Sequence, residues 1–246
     1  MLITMSHPRF FFPTQITPSS RLQLPKELAH HATRVLRLKD LSPIILFDGS
    51  GAEYPACLNI DGKHCYADVA QAEHPDRELK GHITLVQGLA ASDKMDWIIE
   101  KAVELGIKRV VPVRAQRSVL QLSAERQAKR MTHWQGIVQA ASTQCGRNYL
   151  MQLDAPCTLS EYLATQATGL VLLCHPGSAH ALQDILTPQH KEVVLLVGPE
   201  GGWNDQEYEL ALRAGAQAIR FGPRVLRTET AGLALSAAIT ALQAWN

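Results

Sequence analysis

The stretch Val193-Val194-Leu195-Leu196-Val197-Gly198-Pro199-Glu200-Gly201-Gly202 reads as a buried strand that runs straight into a glycine-rich turn. Five apolar residues in succession suit a strand covered on both faces. Three glycines and a proline then let the backbone turn sharply and come close to something flat or crowded. Asn204, with Glu207 three positions later, is the mark of a capping box opening a helix. Strand, glycine loop and helix, in that order, are where open α/β sheets hold their ligands.

A second such unit follows at once. Gln217-Ala218-Ile219-Arg220-Phe221 reads as a strand and Gly222-Pro223-Arg224-Val225-Leu226-Arg227 as the loop after it. From Thr228 a long apolar helix carries Ala231, Leu233, Ala234, Leu235, Ala238, Ile239 and Leu242. Two loops of this type so close together point to one composite site. Spacing alone leaves a second reading open, that of two ordinary tight turns in an α/β domain. GPEGG lacks the spacing of a dinucleotide fingerprint, and no Gly-Lys-Ser/Thr follows for a phosphate-binding P-loop.

Upstream the alternation continues. Residues 83–87 read as a strand, followed by a helix capped by Ser92 whose Met95, Ile98, Ile99 and Ala102 share one face. Gly106 closes that helix, and residues 107–113 form the next strand. A helix from Ser123 carries Trp134, Ile137, Val138 and Ala141 on one side, and residues 169–174 are a further strand. The pattern predicts an α/β fold with a mainly parallel sheet and helices on both faces. The first seventy or so residues differ. Residues 46–53 are a strand leading into a turn, and Asn59-Ile60-Asp61-Gly62-Lys63-His64 sets Asp-Gly between two short runs, a hairpin signal. Short strands and tight turns predict a small β-barrel with one helix around residues 26–36. The polar, proline-containing stretch 72–78 reads as the linker, which divides the chain into residues 1–73 and 74–246.

Formal net charge is +1, so the chain as a whole is no polycation, and any nucleic acid must be held by a local basic patch. Cys57, Cys65, Cys145, Cys157 and Cys174 are odd in number, widely spaced and contain no CxxC, which argues against a disulfide framework or zinc site and for a reducing compartment. The histidines are scattered, and no metal is expected. Residues 2–5 are too short for a signal segment, with Pro8 and Arg9 interrupting the run, and the apolar C-terminal run carries Ser236, Thr240 and Gln243 and suits a core helix better than a membrane span. A cytoplasmic location with no membrane partner is the expectation.

GPEGGWNDQEYE followed by FGPRVLRTETAGLALSAA resembles the C-terminal signature of the RsmE family, SPOUT-class RNA methyltransferases that methylate uridine N3 in small-subunit (16S) ribosomal RNA. The likeness extends through SDKMDWIIEKAVELGIKRVVPVRAQRS, TQCGRN, HHATRVLRLKD and RFFF, and so covers nearly the whole chain in order. It implies a PUA-like RNA-binding β-barrel in residues 1–73 and a SPOUT domain with a trefoil knot in residues 74–246, the last helix threading behind the GPEGG loop. It also implies S-adenosylmethionine as cofactor, small-subunit ribosomal RNA or the assembled subunit as partner, and a homodimer. The chain departs from the family pattern at Thr143, where relatives usually carry Glu, at His133, and at Tyr149-Leu150-Met151, where a proline is common. A non-catalytic ribosome-assembly factor of the same fold and a SPOUT methyltransferase of another RNA are the alternatives.

Methylating uracil N3 needs a methyl donor, loss of the N3 proton, and donors for the charge that moves onto the carbonyl oxygens. The protein then supplies positioning and electrostatics rather than a covalent nucleophile. The strand-end segments able to form an adenine slot are Leu173, Cys174 and His175; Val197, Gly198, Pro199, Glu200, Gly201 and Gly202; and Phe221, Gly222, Val225, Leu226 and Arg227, with Thr230 just beyond. By resemblance these are the knot loops that hold the cofactor. Arg227 reads as a donor to the uracil oxygens or a phosphate, or as an ion-pair partner of Glu229 or Glu200. Glu200 reads as a loop organiser or a catalytic base. Gly146 suits a helix C-cap and Arg147 suits the negative helix end, while the family position sets Arg147 and Asn148 at the active-site rim. The catalytic candidates are thus Arg227, Glu200 and Arg147. Candidates for RNA are Arg9, beside three phenylalanines that stack bases or fill a core, together with Arg34, Arg37, Arg117 and Asn148.

Overall fold

The computed structural model describes residues 7–120, 124–165 and 168–245. The chain forms two compact units, Met1–Arg77 with Ser142–Leu150, and Glu78–Ala141 with Met151–Asn246.

The first unit holds β1 (Arg9–Phe11), β2 (Arg21–Gln23), helix α1 (Lys26–His30) continued by a π-helical turn (His31–Val35), β3 (Pro43–Phe47), β4 (Glu53–Asp61) and β5 (His64–Val69). The strands form one sheet in the order β1-β3-β4-β5-β2, antiparallel except for the β1–β3 pair. Every strand sends residues into one apolar cluster that includes Phe10, Leu22, Ile44, Leu46, Tyr54, Leu58 and Ala67, so the sheet curls around it. The expected hairpin is present: Asp61 pairs with His64, and Gly62 takes the positive φ (57°) that the two-residue turn requires. Phe10 and Phe12 are buried in the core, the packing alternative for the phenylalanine run.

A buried charge cluster binds the segment 142–150 to this sheet. Glu53, whose side chain is 7% exposed, accepts hydrogen bonds from Arg9 Nη1 and from Arg77 Nη1 (2.6 Å). Arg9 Nη2 donates to Asn148 Oδ1 (2.6 Å), Arg77 Nη1 donates to the Gly146 carbonyl (3.0 Å), and the Arg9 guanidinium lies 5.0 Å from the Phe47 ring centre. Gly51 (φ 103°) sits under the Tyr149 ring, where a Cβ would stand 2.2 Å from Cζ. The departure at Tyr149 is therefore accommodated by a glycine beneath it.

The second unit holds β6 (His82–Gly88), α2 (Ser92–Glu104), β7 (Arg109–Val113), α3 (Ala124–Cys145, its last turn grouped with the first unit), β8 (Gln152–Leu153), α4 (Leu159–Leu163), β9 (Leu170–Cys174), α5 (Leu182–Ile185), β10 (Glu192–Val197), α6 (Asp205–Arg213), β11 (Gln217–Ile219) and α7 (Thr228–Leu242). Its sheet runs β11-β9-β10-β6-β7-β8, and every pair is parallel. Alternation along the strands covers both faces. Val86, Val194 and Leu196 pack with Leu159, Tyr162 and Ala211 of α4 and α6. On the other face α7 packs on β10, β6 and α2, and Gly232 allows the approach, since a Cβ there would stand 2.8 Å from Leu85 Cδ1.

Several local expectations need correction. Ser92 is the first residue of α2 rather than its cap; the preceding Ala91 has no side chain to cap with, and a carboxylate from another loop accepts its N–H instead. The final strand ends at Ile219, because Arg220 turns away to bridge Ala181 and Phe221 enters the loop. Ser123, the expected helix start, lies outside the described residues, and α3 is described from Ala124. The short elements β8, α4 and α5 carry too few residues to show a period.

The Glu53 cluster predicts an acid-sensitive stability term. Burial opposes ionisation of Glu53, but the Arg77 and Arg9 hydrogen bonds outweigh it and hold the carboxyl below its ordinary value of 4.5. A depressed folded-state pKa means that the stabilisation is complete above the unfolded value and is lost as pH falls through the folded one. Urea denaturation should therefore show wild-type stability declining below about pH 4.5 and Glu53→Gln declining less steeply. Glu53→Ala, which leaves buried Arg9 without its carboxylate, should cost about 3–5 kcal/mol at neutral pH.

Candidate active site

The chain crosses from the β6–β8 side of the sheet to the β9–β11 side, with β10 beside β6. That switch point is where a parallel sheet leaves a crevice outside its strand ends. A cavity of about 550 Å³ occupies it, within the range of small-molecule sites. Cys174, His175 and Pro176 lie at the end of β9, residues 197–203 run on from the end of β10, and residues 219–221 and 224–228 lead from the end of β11 into α7; all line the cavity, with Lys94 of α2 and Ala231 and Leu235 of α7.

Hydrogen bonds fix these segments to one another. The Thr228 hydroxyl accepts from Gln87 Nε2 (2.8 Å) and donates to the Gly198 carbonyl (2.6 Å). Gln87 is fully buried and also donates to the Gly88 carbonyl (3.0 Å), so one amide ties the end of β6 to the start of α7 and, through Thr228, to the glycine loop. Glu200 Oε1 accepts from the Ala91 N–H (3.1 Å) and lies 3.2 Å from Lys94 Nζ; the same ammonium is 3.4 Å from Glu229 Oε2. Glu200 thereby serves as the N-terminal acceptor that α2 lacks in its own sequence. Burial works against ionisation of Glu200, yet the Ala91 N–H and Lys94 prevail and keep the carboxyl below its usual range. The Asn204–Glu207 capping box is present, with bonds of 2.7 and 3.0 Å.

Of the residues expected to hold a cofactor, Cys174, His175, Val197, Gly198, Pro199, Glu200, Gly201, Gly202, Phe221, Val225, Leu226 and Arg227 come together around the cavity. Leu173, Gly222 and Thr230 do not line it. Leu173 precedes Cys174 in β9 and points to the opposite face, into the core with Leu159 and Tyr162. Gly222 supplies a positive φ (71°) to the loop, and Thr230 faces solvent. The cavity is apolar where Val197, Ile219, Leu226 and Leu235 meet it, and the Gly198–Gly202 backbone offers N–H and C=O groups at its edge. The Cys174 thiol is pushed up to about 12 by burial, so it is a neutral wall and no nucleophile.

The other candidates separate. Arg227 reaches solvent with 81% of its side chain exposed, and its guanidinium is 3.9 Å from Glu229, the ion-pair alternative in weak form. Arg147 and Asn148 are both buried and belong to the first unit, and among the described residues the cavity is lined by the second unit alone. Arg9 is corrected as an RNA contact: Glu53 and Asn148 occupy its guanidinium, and only a tenth of its side chain is exposed. Asn148 is buried and accepts that bond. Arg117 braces the glycine loop through the carbonyls of Gly201 (3.3 Å) and Trp203 (3.2 Å). Arg34 and Arg37 are exposed, but Arg37 lies beyond the helical stretch with φ 54° instead of sharing its face. Sequence reasoning passed over Gln87, Lys94 and Gly88. The signal for Gln87 was an amide directly after the apolar pair Leu85-Val86 of β6.

Residues 77–240 match the RNA methyltransferase domain family, and residues 24–70 match the RNA methyltransferase PUA domain family. The ribosomal RNA small subunit methyltransferase E of Synechocystis is 33% identical over 221 residues, covering 87% of this chain and 70% of the relative. The Buchnera protein of the same name from the Acyrthosiphon pisum symbiont is 28% identical over 96% of this chain and 92% of its own. Among solved structures, that of the Neisseria gonorrhoeae ribosomal RNA small subunit methyltransferase E bound to S-adenosyl methionine has a TM-score of 0.86 and 36% identity, covering 96% of this chain and 98% of the other. A Legionella pneumophila methyltransferase in complex with the bound cofactor SAM has a TM-score of 0.90 and 30% identity, covering 97% and 98%. Fold and cavity thus define an RNA methyltransferase of the parallel α/β class. The chain belongs to the ribosomal RNA small subunit methyltransferase E family.

Gly88 supplies the prediction for this site. A Cβ there would stand 2.5 Å from the Pro199 backbone nitrogen and Cδ, so β6 and the glycine loop approach through it. Gly88→Ala should push the loop outward, cost about 1–3 kcal/mol in urea denaturation, and weaken S-adenosylmethionine binding in calorimetry. Unchanged affinity would mean that the loop position is irrelevant to the cavity.

Proposed function

We propose that the chain transfers a methyl group from S-adenosylmethionine to uridine N3 of small-subunit ribosomal RNA. The observation that carries this reading is the cavity at the sheet's switch point, built from three strand-end loops and closed by the first turn of α7. The family membership, and the two S-adenosylmethionine-bound neighbours, support the cofactor. The match of residues 24–70 to a PUA domain supports ribosomal RNA as the substrate held by the first unit.

The cavity suits the cofactor. Its apolar walls accept an adenine, and the glycine-loop backbone supplies the hydrogen-bonding edge. A Cβ on Gly198 would stand 3.0 Å from the Gly202 carbonyl carbon and the Trp203 nitrogen, so glycine there lets the loop fold closely on itself. S-adenosylmethionine supplies an activated methyl group whose leaving group is a neutral thioether. The residues of the chain do the rest. The loops 197–203 and 219–227 position, and the Arg227 guanidinium at the start of α7 donates to the uracil oxygens as N3 loses its proton. Glu200, held by Ala91 and Lys94, braces the loop; a carboxylate so stabilised is a poor base. The cations around the cavity favour the ionised uracil, and its N3 proton passes to water.

The finer assignments belong to the same proposal. Residues 1–73 act as the RNA-binding module and 74–246 as the methyltransferase, with the return of α7 behind the glycine loop forming a trefoil knot. Two chains act as a homodimer. The five free thiols favour a reducing, cytoplasmic setting. No described helix is long and apolar enough to cross a membrane.

The test is methyl transfer from labelled S-adenosylmethionine to small ribosomal subunits, and separately to their naked RNA, from a strain lacking this protein. Nucleoside analysis should place the label in 3-methyluridine. Label in another nucleoside would refute the N3 assignment. No label with either substrate, despite bound cofactor, would make a different RNA the substrate.

A further inference from the structure

The positive charge around the cavity exceeds what its cofactor calls for. Among the described residues Lys94, Arg117, Arg220, Arg224 and Arg227 line it, against the single lining carboxylate of Glu200. S-adenosylmethionine carries a sulfonium and an ammonium against one carboxylate and is itself a cation. A site that served only that molecule would carry the opposite surplus. The surplus is also local, because the whole chain has a net charge of only +1.

The five cations are not equivalent. Lys94 is neutralised by Glu200 and Glu229. Arg117 is spent on the carbonyls of Gly201 and Trp203, and Arg220 Nη1 donates to the Ser178 carbonyl (2.9 Å). Arg227 has Glu229 at 3.9 Å. Arg224 stands exposed in the loop after β11 with no acceptor among the described residues. Beside it, Val225 is 76% exposed on a lining segment that the core leaves uncovered.

We propose that Arg224 is a phosphate contact, through which the RNA backbone is docked at the mouth of the cofactor cavity. This deepens the reading of the chain as a ribosomal RNA methyltransferase and rests on it. A guanidinium without an internal partner loses no existing hydrogen bond when it meets a phosphate, and it can do so bidentately. A single contact made on the cavity's own rim fixes the strand next to the reacting base.

The test is binding of small-subunit ribosomal RNA to the full chain over a series of KCl concentrations, for wild type, Arg224→Gln and Arg224→Lys, with S-adenosylmethionine affinity measured in parallel. Losing one phosphate contact should lower the slope of log K against log salt by about 0.7–0.9. Arg224→Gln should show that loss with unchanged cofactor affinity, and Arg224→Lys should retain the slope. An unchanged slope in Arg224→Gln with cofactor affinity intact overturns the proposal, and an unchanged slope with weakened cofactor binding overturns it by putting Arg224 in the cofactor site. Wild-type protein without affinity for this RNA would sink the functional reading itself, a failure distinct from the first two.

Discussion

The Thr228 hydroxyl stands between Gln87 Nε2 at 2.8 Å and the Gly198 carbonyl at 2.6 Å, and the cavity depends on both bonds. Gln87 ends the apolar run of β6, Gly198 opens the loop after β10, and Thr228 begins α7. These elements are far apart in sequence, and parallel pairing brings only the first two side by side. The third must return from the sheet edge at β11 to reach them. A buried amide is costly unless paired, so the bond to Thr228 is demanded by the burial of Gln87 and in turn dictates where α7 starts. The Lys94–Glu200–Glu229 cluster repeats the connection on the solvent side, linking α2, the glycine loop and α7.

This arrangement separates side chains that hold position from those left free to meet a substrate. Among the described residues Glu200 is the one carboxylate lining the cavity, and its oxygen is committed to a helix N-terminus and an ammonium. Arg227 has the opposite situation: its backbone is fixed by the turn into α7, while its guanidinium stays in solvent. A fixed stem with a free head suits a group that must meet a substrate arriving from outside. In the first unit the same contrast appears between Arg9, clamped on Glu53 and Asn148, and Arg34, which is exposed.

Much of the second unit was legible because buried parallel strands leave continuous apolar runs and the helices between them carry a clear period. The capping box at Asn204, the faces of α2 and α3, and the loops after β10 and β11 all follow from that. The first unit was legible mainly through its hairpin, where Gly62 marks the turn. What escaped were interactions joining distant positions. Ser92 resembles a cap, yet the capping oxygen comes from Glu200. Arg9 resembles an RNA contact, yet its partners lie at positions 53 and 148. Gly88 looks like a strand residue, yet its missing Cβ makes room for Pro199. Local pattern reports periodicity and turn chemistry; it does not report which side chain will meet which across the fold.

The central claim is that the cavity joined through Thr228 is where the methyl donor sits. A crystal structure of the full chain with S-adenosylmethionine tests this most directly. The account predicts the adenine between the segments 174–176, 197–202, 219–221 and 225–226, with the donor methyl directed toward the side on which Arg227 is exposed. Ordered cofactor outside that cavity, with the three loops unchanged, would contradict it.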